Sequence, residues 1–171
     1  MNYADIKYCD VANGEGVRVS LFVSGCTHHC KECFNKEAWD FHYGNPFTQK
    51  EIDRILEYLK PNYIAGLSLL GGEPMEPVNQ EGILPLLRVV KQTYPEKNIW
   101  CYTGYLFDKD VLDKMCKESE VTKEIVSYLD IVVDGEFMID RKNLKINFRG
   151  SDNQRIIDVK KTLDAGEIVH W

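Results

Sequence analysis

No stretch of this chain approaches the roughly 18 consecutive apolar residues that a membrane-spanning helix needs, so no membrane role is expected. The opening residues Met1-Asn2-Tyr3-Ala4-Asp5 lack the basic and apolar regions of a secretory signal. Internal repeats, low-complexity tracts and linker-like segments are missing as well. There is no excess of positive charge either: 21 Lys and Arg stand against 27 Asp and Glu, for a net charge of −6. The molecule as a whole is therefore not drawn to nucleic acid or to an anionic membrane. Without a signal, the six cysteines read as reduced thiols in the cytoplasm rather than as three disulfides.

What is present fits one globular domain: 171 residues, 44% of them hydrophobic and 28% charged. The charge is uneven. Residues 140–161 carry seven Lys or Arg against three Asp, a local +4 that leaves −10 elsewhere. Such a strip is either a solvated face or a surface for an anionic group. Residues 1–171 read as a single domain, with 140–171 as a basic C-terminal segment that closes the site or docks a partner.

Strands and helices alternate. Val17-Arg18-Val19-Ser20-Leu21-Phe22-Val23 alternates in polarity and reads as a strand. Thr48-Gln49-Lys50-Glu51 is a capping box opening a helix with Ile52, Ile55, Leu56 and Leu59 on one face. A short strand over 67–70 stops at Gly71-Gly72. A helix runs through Ile83, Leu84, Leu87 and Val90, with Pro85 expected in its first turn or offsetting its start. A strand over 99–102, helical pattern over 108–117 and 121–129, a strand over 130–133 and a β-rich run over 155–159 complete the pattern. This order predicts an α/β fold with parallel pairing. Four or five such units cannot close an eight-stranded barrel, so a partial, open (β/α) barrel is expected. The cysteine loop and the turns at 71–74, 102–105 and 134–137 each follow a strand, and parallel α/β folds build ligand sites on that rim.

Cys26, Cys30 and Cys33 lie within eight residues. This spacing can wrap three thiolates around one face of an iron–sulfur cube, which usually takes four cysteines. If no fourth joins, one iron keeps an open position for a substrate or cofactor. Two other readings stay open here. One is a zinc knot using His28 or His29, although no second, well-separated Cys/His pair accompanies it. The other is a redox pair of Cys30 and Cys33, which leaves Cys26 without a task. Cys101 and Cys116 read as core, Cys9 has no metal-binding neighbours, and both histidines read as solvated loop residues. Gly71-Gly72-Glu73-Pro74 adds permissive backbone, acceptors suited to an ammonium group and a rigid stop.

With these residues on view, the chain resembles the radical S-adenosylmethionine superfamily. Within it, the chain is similar to the activating proteins of anaerobic ribonucleoside-triphosphate reductase. The likeness runs through Asn13–Arg18, Ser24–Asn35, Ala38-Trp39, Gly71–Pro74, Tyr102–Tyr105 and Val133–Gly135, and is most distinctive in the tail Arg149–Arg155. The resemblance implies a 4Fe–4S cluster on Cys26, Cys30 and Cys33, its open iron chelated by S-adenosylmethionine. It places the methionine ammonium at Gly71, Gly72, Glu73 and Pro74, and the adenosine beside Glu32, Cys33 and Phe34. Superfamily members often carry an aromatic residue where this chain has Glu32, so Phe34 is expected to substitute. Asn35 and Asp134 match positions near ribose or methionine. The implied reaction cleaves S-adenosylmethionine with one electron, to methionine and a 5′-deoxyadenosyl radical. That radical takes a hydrogen from a glycine Cα in the reductase large subunit. No catalytic side chain beyond cluster and cofactor is implied. A reduced flavodoxin is an expected electron donor, and Arg149 and Arg155 are expected to help dock the reductase. The alternatives are an activase of another glycyl radical enzyme and a zinc-stabilised, non-catalytic interaction module.

Overall fold

The computed structural model describes all 171 residues. Its strands are β1 (Asn2–Asp10), β2 (Val17–Val23), β3 (Asn45–Pro46), β4 (Ile64–Gly71), β5 (Asn98–Thr103), β6 (Ile131–Asp134) and β7 (Arg155–Asp158). Its helices are α1 (Gln49–Leu59), α2 (Pro77–Thr93), α3 (Cys116–Glu118), α4 (Glu120–Tyr128) and α5 (Val159–Ala165). One open, mixed sheet runs in the order β3-β1-β2-β4-β5-β6-β7. The inner strands β2, β4, β5 and β6 pair in parallel, as the alternation predicts. No helix is long and apolar enough to cross a membrane.

Three features depart from the sequence reading. Strand β1 was not expected. It pairs antiparallel with β2 and buries only Tyr3, so alternation at this edge is too weak to read. Strand β7 is antiparallel to β6, because no helical crossover separates them, and the parallel pattern ends there. Pro85 lies inside α2, which begins eight residues earlier at Pro77. In addition, Phe107–Met115, read as helical, is π-helical and continues into α3.

The capping box forms as predicted, and Ile52, Ile55 and Leu59 of α1 are buried. They join Leu21, Leu67, Leu69, Ile99 and Val132 from one sheet face and the apolar stripes of α2 and α4 in a single core. The other face carries Trp100, Ile131 and Val133, with Tyr102, Phe148 and Ile156 packed on them. Arg18 is fully buried without a carboxylate partner. Its N–H groups donate to Ser68 Oγ and to the carbonyls of Glu15, Leu67 and Asn98. Its guanidinium lies 5.3 Å from the Trp100 ring centroid, and burial pulls its pKa down to about 10.

Asp130 ties helices to sheet. It accepts from Lys91 Nζ at 2.9 Å, Lys160 Nζ at 2.7 Å and the Ile99 amide at 2.9 Å. Burial opposes ionisation, but the two ammonium groups and the amide win and hold the carboxyl below its ordinary value. A depressed acid contributes stability that is present above its unfolded pKa and lost as pH falls through the folded one. Asp130→Asn is therefore expected to cost about 2 kcal/mol near neutrality. The gap from the wild type, read from urea unfolding curves, should close below about pH 4.

Candidate iron–sulfur and ligand site

Because β2, β4, β5 and β6 run the same way, the loops after them share one rim. They enclose a cavity of about 650 Å³ lined by Cys26, Cys30, Gly71, Gly72, Glu73 and Tyr102, among others. The β4 turn approaches the cysteine loop closely. Gly71 has φ +109, and a Cβ on Gly72 would sit 2.5 Å from the Gly25 carbonyl oxygen. The Gly72 amide donates to Val23 O at 2.7 Å and the Glu73 amide to Gly25 O at 2.8 Å. The Gly72 carbonyl receives no hydrogen bond from the chain.

Buried carboxylates hold this rim together. Glu73, 1% exposed, accepts from the Met75 amide at 2.8 Å, the Gly104 amide at 2.7 Å and His28 Nε2 at 3.1 Å. The other His28 nitrogen meets Glu136 at 2.9 Å. Hydrogen bonding to Glu73, against the opposing effect of burial and with help from Glu136, raises the His28 pKa to about 9. The ring is therefore an imidazolium at neutral pH, locked between loops, and not the solvated residue that the sequence suggested. Buried Glu76 accepts from the Thr27 amide at 3.0 Å and from the Thr27 hydroxyl. His29 stacks on Trp39 with centroids 4.6 Å apart.

The cysteine loop is anchored mainly at its base. Gly25 N donates to Ala38 O at 2.8 Å and Cys26 N to Trp39 O at 3.2 Å, while further along Cys33 N donates to Cys30 O at 3.1 Å. Burial pushes the Cys26 thiol up to about 11, aided by Glu73 and Cys30 and opposed by the His28 and His29 amides. Cys30 is raised by burial and by Glu136. A metal bound by thiols raised in this way would displace their protons. Cys33 sits apart. It lines a neighbouring cavity of about 660 Å³ that shares Phe22, Phe34, Asn35 and Gly71 with the first. All six cysteines are free, with Cys101 buried in the core, Cys116 half-buried and Cys9 exposed.

No three His, Cys, Asp or Glu side chains gather around a single metal-ion position. A zinc knot requires four ligands at about 2–2.3 Å from one ion, and both His28 nitrogens are taken up by Glu73 and Glu136 while His29 stacks on Trp39. A cube asks for something different. Its thiolates bind separate irons, and the donor set of soft thiols beside a roomy cavity fits it.

The remaining sequence candidates fall into two groups. Phe34, 66% exposed, and Asn35 line both cavities. Phe34 lies 5.3 Å from Phe137 between ring centroids and under Lys142. Glu32 is exposed, pairs with Lys36 and lines neither cavity, and Pro74 is buried behind the turn. Asp134 is fully buried and also off the cavity. It accepts from the Phe107 amide at 2.7 Å and from Arg155 Nε at 2.9 Å. Arg155 is in turn held by Asp108 at 2.8 Å and is only 27% exposed, so it braces the fold and is not free on the surface. Arg149 lines the main cavity. Between these arginines, Gln154 bonds Gly135 O and the Gly150 amide, and Asn153 bonds Glu136 O. The basic tail thereby folds back onto the rim. The ties of Thr27, Glu76 and Glu136 were not foreseen, because their partners lie up to 108 residues away in sequence.

Residues 12–157 match the family model described as a 4Fe-4S single cluster domain. The chain belongs to this family. It is also similar along most of its length to proteins named anaerobic ribonucleoside-triphosphate reductase-activating protein. That of Enterobacteria phage T4 is 43% identical over 158 residues, 91% of this chain and 93% of the phage protein. That of Pasteurella multocida (strain Pm70) is 40% identical over 158 residues, covering 91% and 96%. That of Escherichia coli (strain K12) is 38% identical over 156 residues, covering 90% and 96%.

Proposed function

We propose that this chain is a radical S-adenosylmethionine activating enzyme that generates the glycyl radical of anaerobic ribonucleoside-triphosphate reductase. The observation that carries the reading is the rim cavity, where Cys26 and Cys30 face the Gly71–Gly72 turn. The family match and the names of the relatives support it. The four parallel strands with their loops would form a partial barrel of the radical S-adenosylmethionine type.

In this reading Cys26, Cys30 and Cys33 hold a 4Fe–4S cluster and leave one iron open. The free Gly72 carbonyl accepts from the ligand ammonium, while Glu73 fixes the turn instead of reaching the ligand itself. Phe34 and Asn35 flank the adenosine side. Asp134 acts indirectly, holding Arg155 and the Phe107 amide behind the site. When bound, the cluster and S-adenosylmethionine supply the electron and the breakable carbon–sulfur bond that yield a hydrogen-abstracting radical. Phe137, Ile146 and Phe148 give the cavity an apolar wall that keeps water off. The glycine arrives on a loop of the reductase large subunit through the open side, and a one-electron donor such as reduced flavodoxin serves the cluster in the cytoplasm. An activase of another glycyl radical enzyme is the remaining alternative, and the relatives' names favour the reductase.

The test is anaerobic purification followed by iron and sulfide analysis and incubation with the reductase large subunit, S-adenosylmethionine and reductant. A brown protein with about four irons per chain is expected, together with a protein-based paramagnetic doublet on the reductase. The doublet should vanish without S-adenosylmethionine. A colourless protein with stoichiometric zinc would overturn the proposal.

A further inference from the structure

Only four non-glycine residues of the chain adopt a left-handed backbone: Cys9, His29, Glu32 and Phe148. Two of them fall in the cysteine loop, and each stands immediately before a cysteine, His29 before Cys30 and Glu32 before Cys33. The second belongs to a defined turn. The Cys33 amide donates to the Cys30 carbonyl at 3.1 Å, closing a four-residue β-turn with Glu32, φ +57, in its third position. Lys31, in the second position, is not left-handed, so the turn has the sign pattern of type II. Glycine or asparagine normally fills the third place of such a turn, because a side chain there crowds the following carbonyl. The Glu32 carboxylate offsets little of that cost. It is exposed and pairs only with Lys36, also exposed, at 3.4 Å. Strain of this kind persists where the surrounding structure over-determines the chain. Here Thr27 and His28 supply the ties, through Glu76, Glu73 and Glu136.

What the turn sets is the place of a sulfur. Three residues of extended chain span about 10 Å, whereas a β-turn holds its first and last Cα within about 7 Å. Just past the turn, the Asn35 amide donates to Cys33 Sγ at 3.4 Å. We propose that Glu32 is a positioning residue that acts through its left-handed backbone, not its side chain, to bring the Cys33 thiol round towards Cys30 for a shared cluster. The inference rests on the 4Fe–4S reading of these cysteines and gives Glu32 a task in place of the adenosine contact its sequence position suggested. Position 32 is also the clean site for a test. At His29 a substitution would remove the stack on Trp39 along with the strain.

The measurement is the half-life of the cluster's visible absorption under excess ferrous chelator, in anaerobically loaded full-length protein. Glu32→Ala should match the wild type, since both carry a Cβ. Glu32→Gly should hold its cluster at least about 5-fold longer than Glu32→Ala, the relief of a left-handed Cβ less the extra freedom of glycine. Glu32→Asn should fall between them. Glu32→Val should lose its cluster faster than Glu32→Ala, because a β-branched residue resists this region most. Lys31→Gly against Lys31→Ala is the positional control, and glycine should bring no gain there. Apoprotein urea unfolding shows that each variant is folded before loading. A side-chain role would instead make Glu32→Gly equal to Glu32→Ala, with both below the wild type, and would overturn the inference. So would an equal gain from Lys31→Gly. In either case a wild type holding about four irons leaves the proposed function standing. A wild type that takes up no iron would sink both.

Discussion

Cys26→Ala is expected to give a folded, nearly colourless protein whose activation of the reductase falls on the order of 10³-fold or more, because the cofactor carries the hard chemistry. Cys26 is the most firmly placed of the three thiols. Its amide is bonded to Trp39, and its neighbour Thr27 is held by Glu76. Neither tie uses the sulfur, so removing it should cost only about 1 kcal/mol of stability from lost packing. Iron analysis, the reductase radical signal and a urea midpoint separate the two effects. Cys101→Ala is the control. Its thiol is buried in the core, so stability should fall while iron content holds. A Cys26→Ala protein with full iron and full activation would remove Cys26 from the ligand set.

Glu73→Ala should have the largest effect on the fold. The change removes three accepted hydrogen bonds and leaves the Met75 and Gly104 amides unpaired. It also strips the His28 imidazolium of its closer-buried counter-charge, leaving only Glu136. Breaking a buried ion pair from one side costs about 3–5 kcal/mol, a large share of the 5–15 kcal/mol that holds a typical domain together. The apoprotein's urea unfolding curve is the measurement, and the variant should also fail to retain iron, since the rim no longer closes on the cysteine loop. Glu73→Gln keeps the shape and should lose less. A Glu73→Ala protein within about 1 kcal/mol of wild type would show that the rim is held by other means.

The sequence disclosed those parts of the fold that local periodicity encodes. Strand β2 and the capping box of α1 were legible residue by residue, because alternation and cap chemistry act within a few positions. The rim also followed from chain order, since parallel strands must end on the same side. Strand β1 was hidden because only Tyr3 of it is buried. Pro85 misled because the packing of α2 against α4 outweighs one missing helical hydrogen bond. In the site, the cysteine spacing and the glycine turn were visible, but the role of Glu73 was not. It sits beside its turn in sequence, yet its carboxylate faces inward to residues 28 and 104. Arg155 looked like a surface cation only because Asp134 and Asp108 are distant in sequence.

The cysteine loop follows β2 and is complete by residue 33, but much of what shapes it comes later. Its side-chain ties run to Glu73, Glu76 and Glu136, with Gly104 bonded to the same Glu73 carboxylate. Contacts so remote along the chain form late in folding. On the nascent polypeptide the three thiols therefore emerge early and wait, unshaped, until β6 and the loop after it have docked. In the proposed reading iron enters only after the chain has folded, and the interval between is when these sulfurs are most open to oxidation.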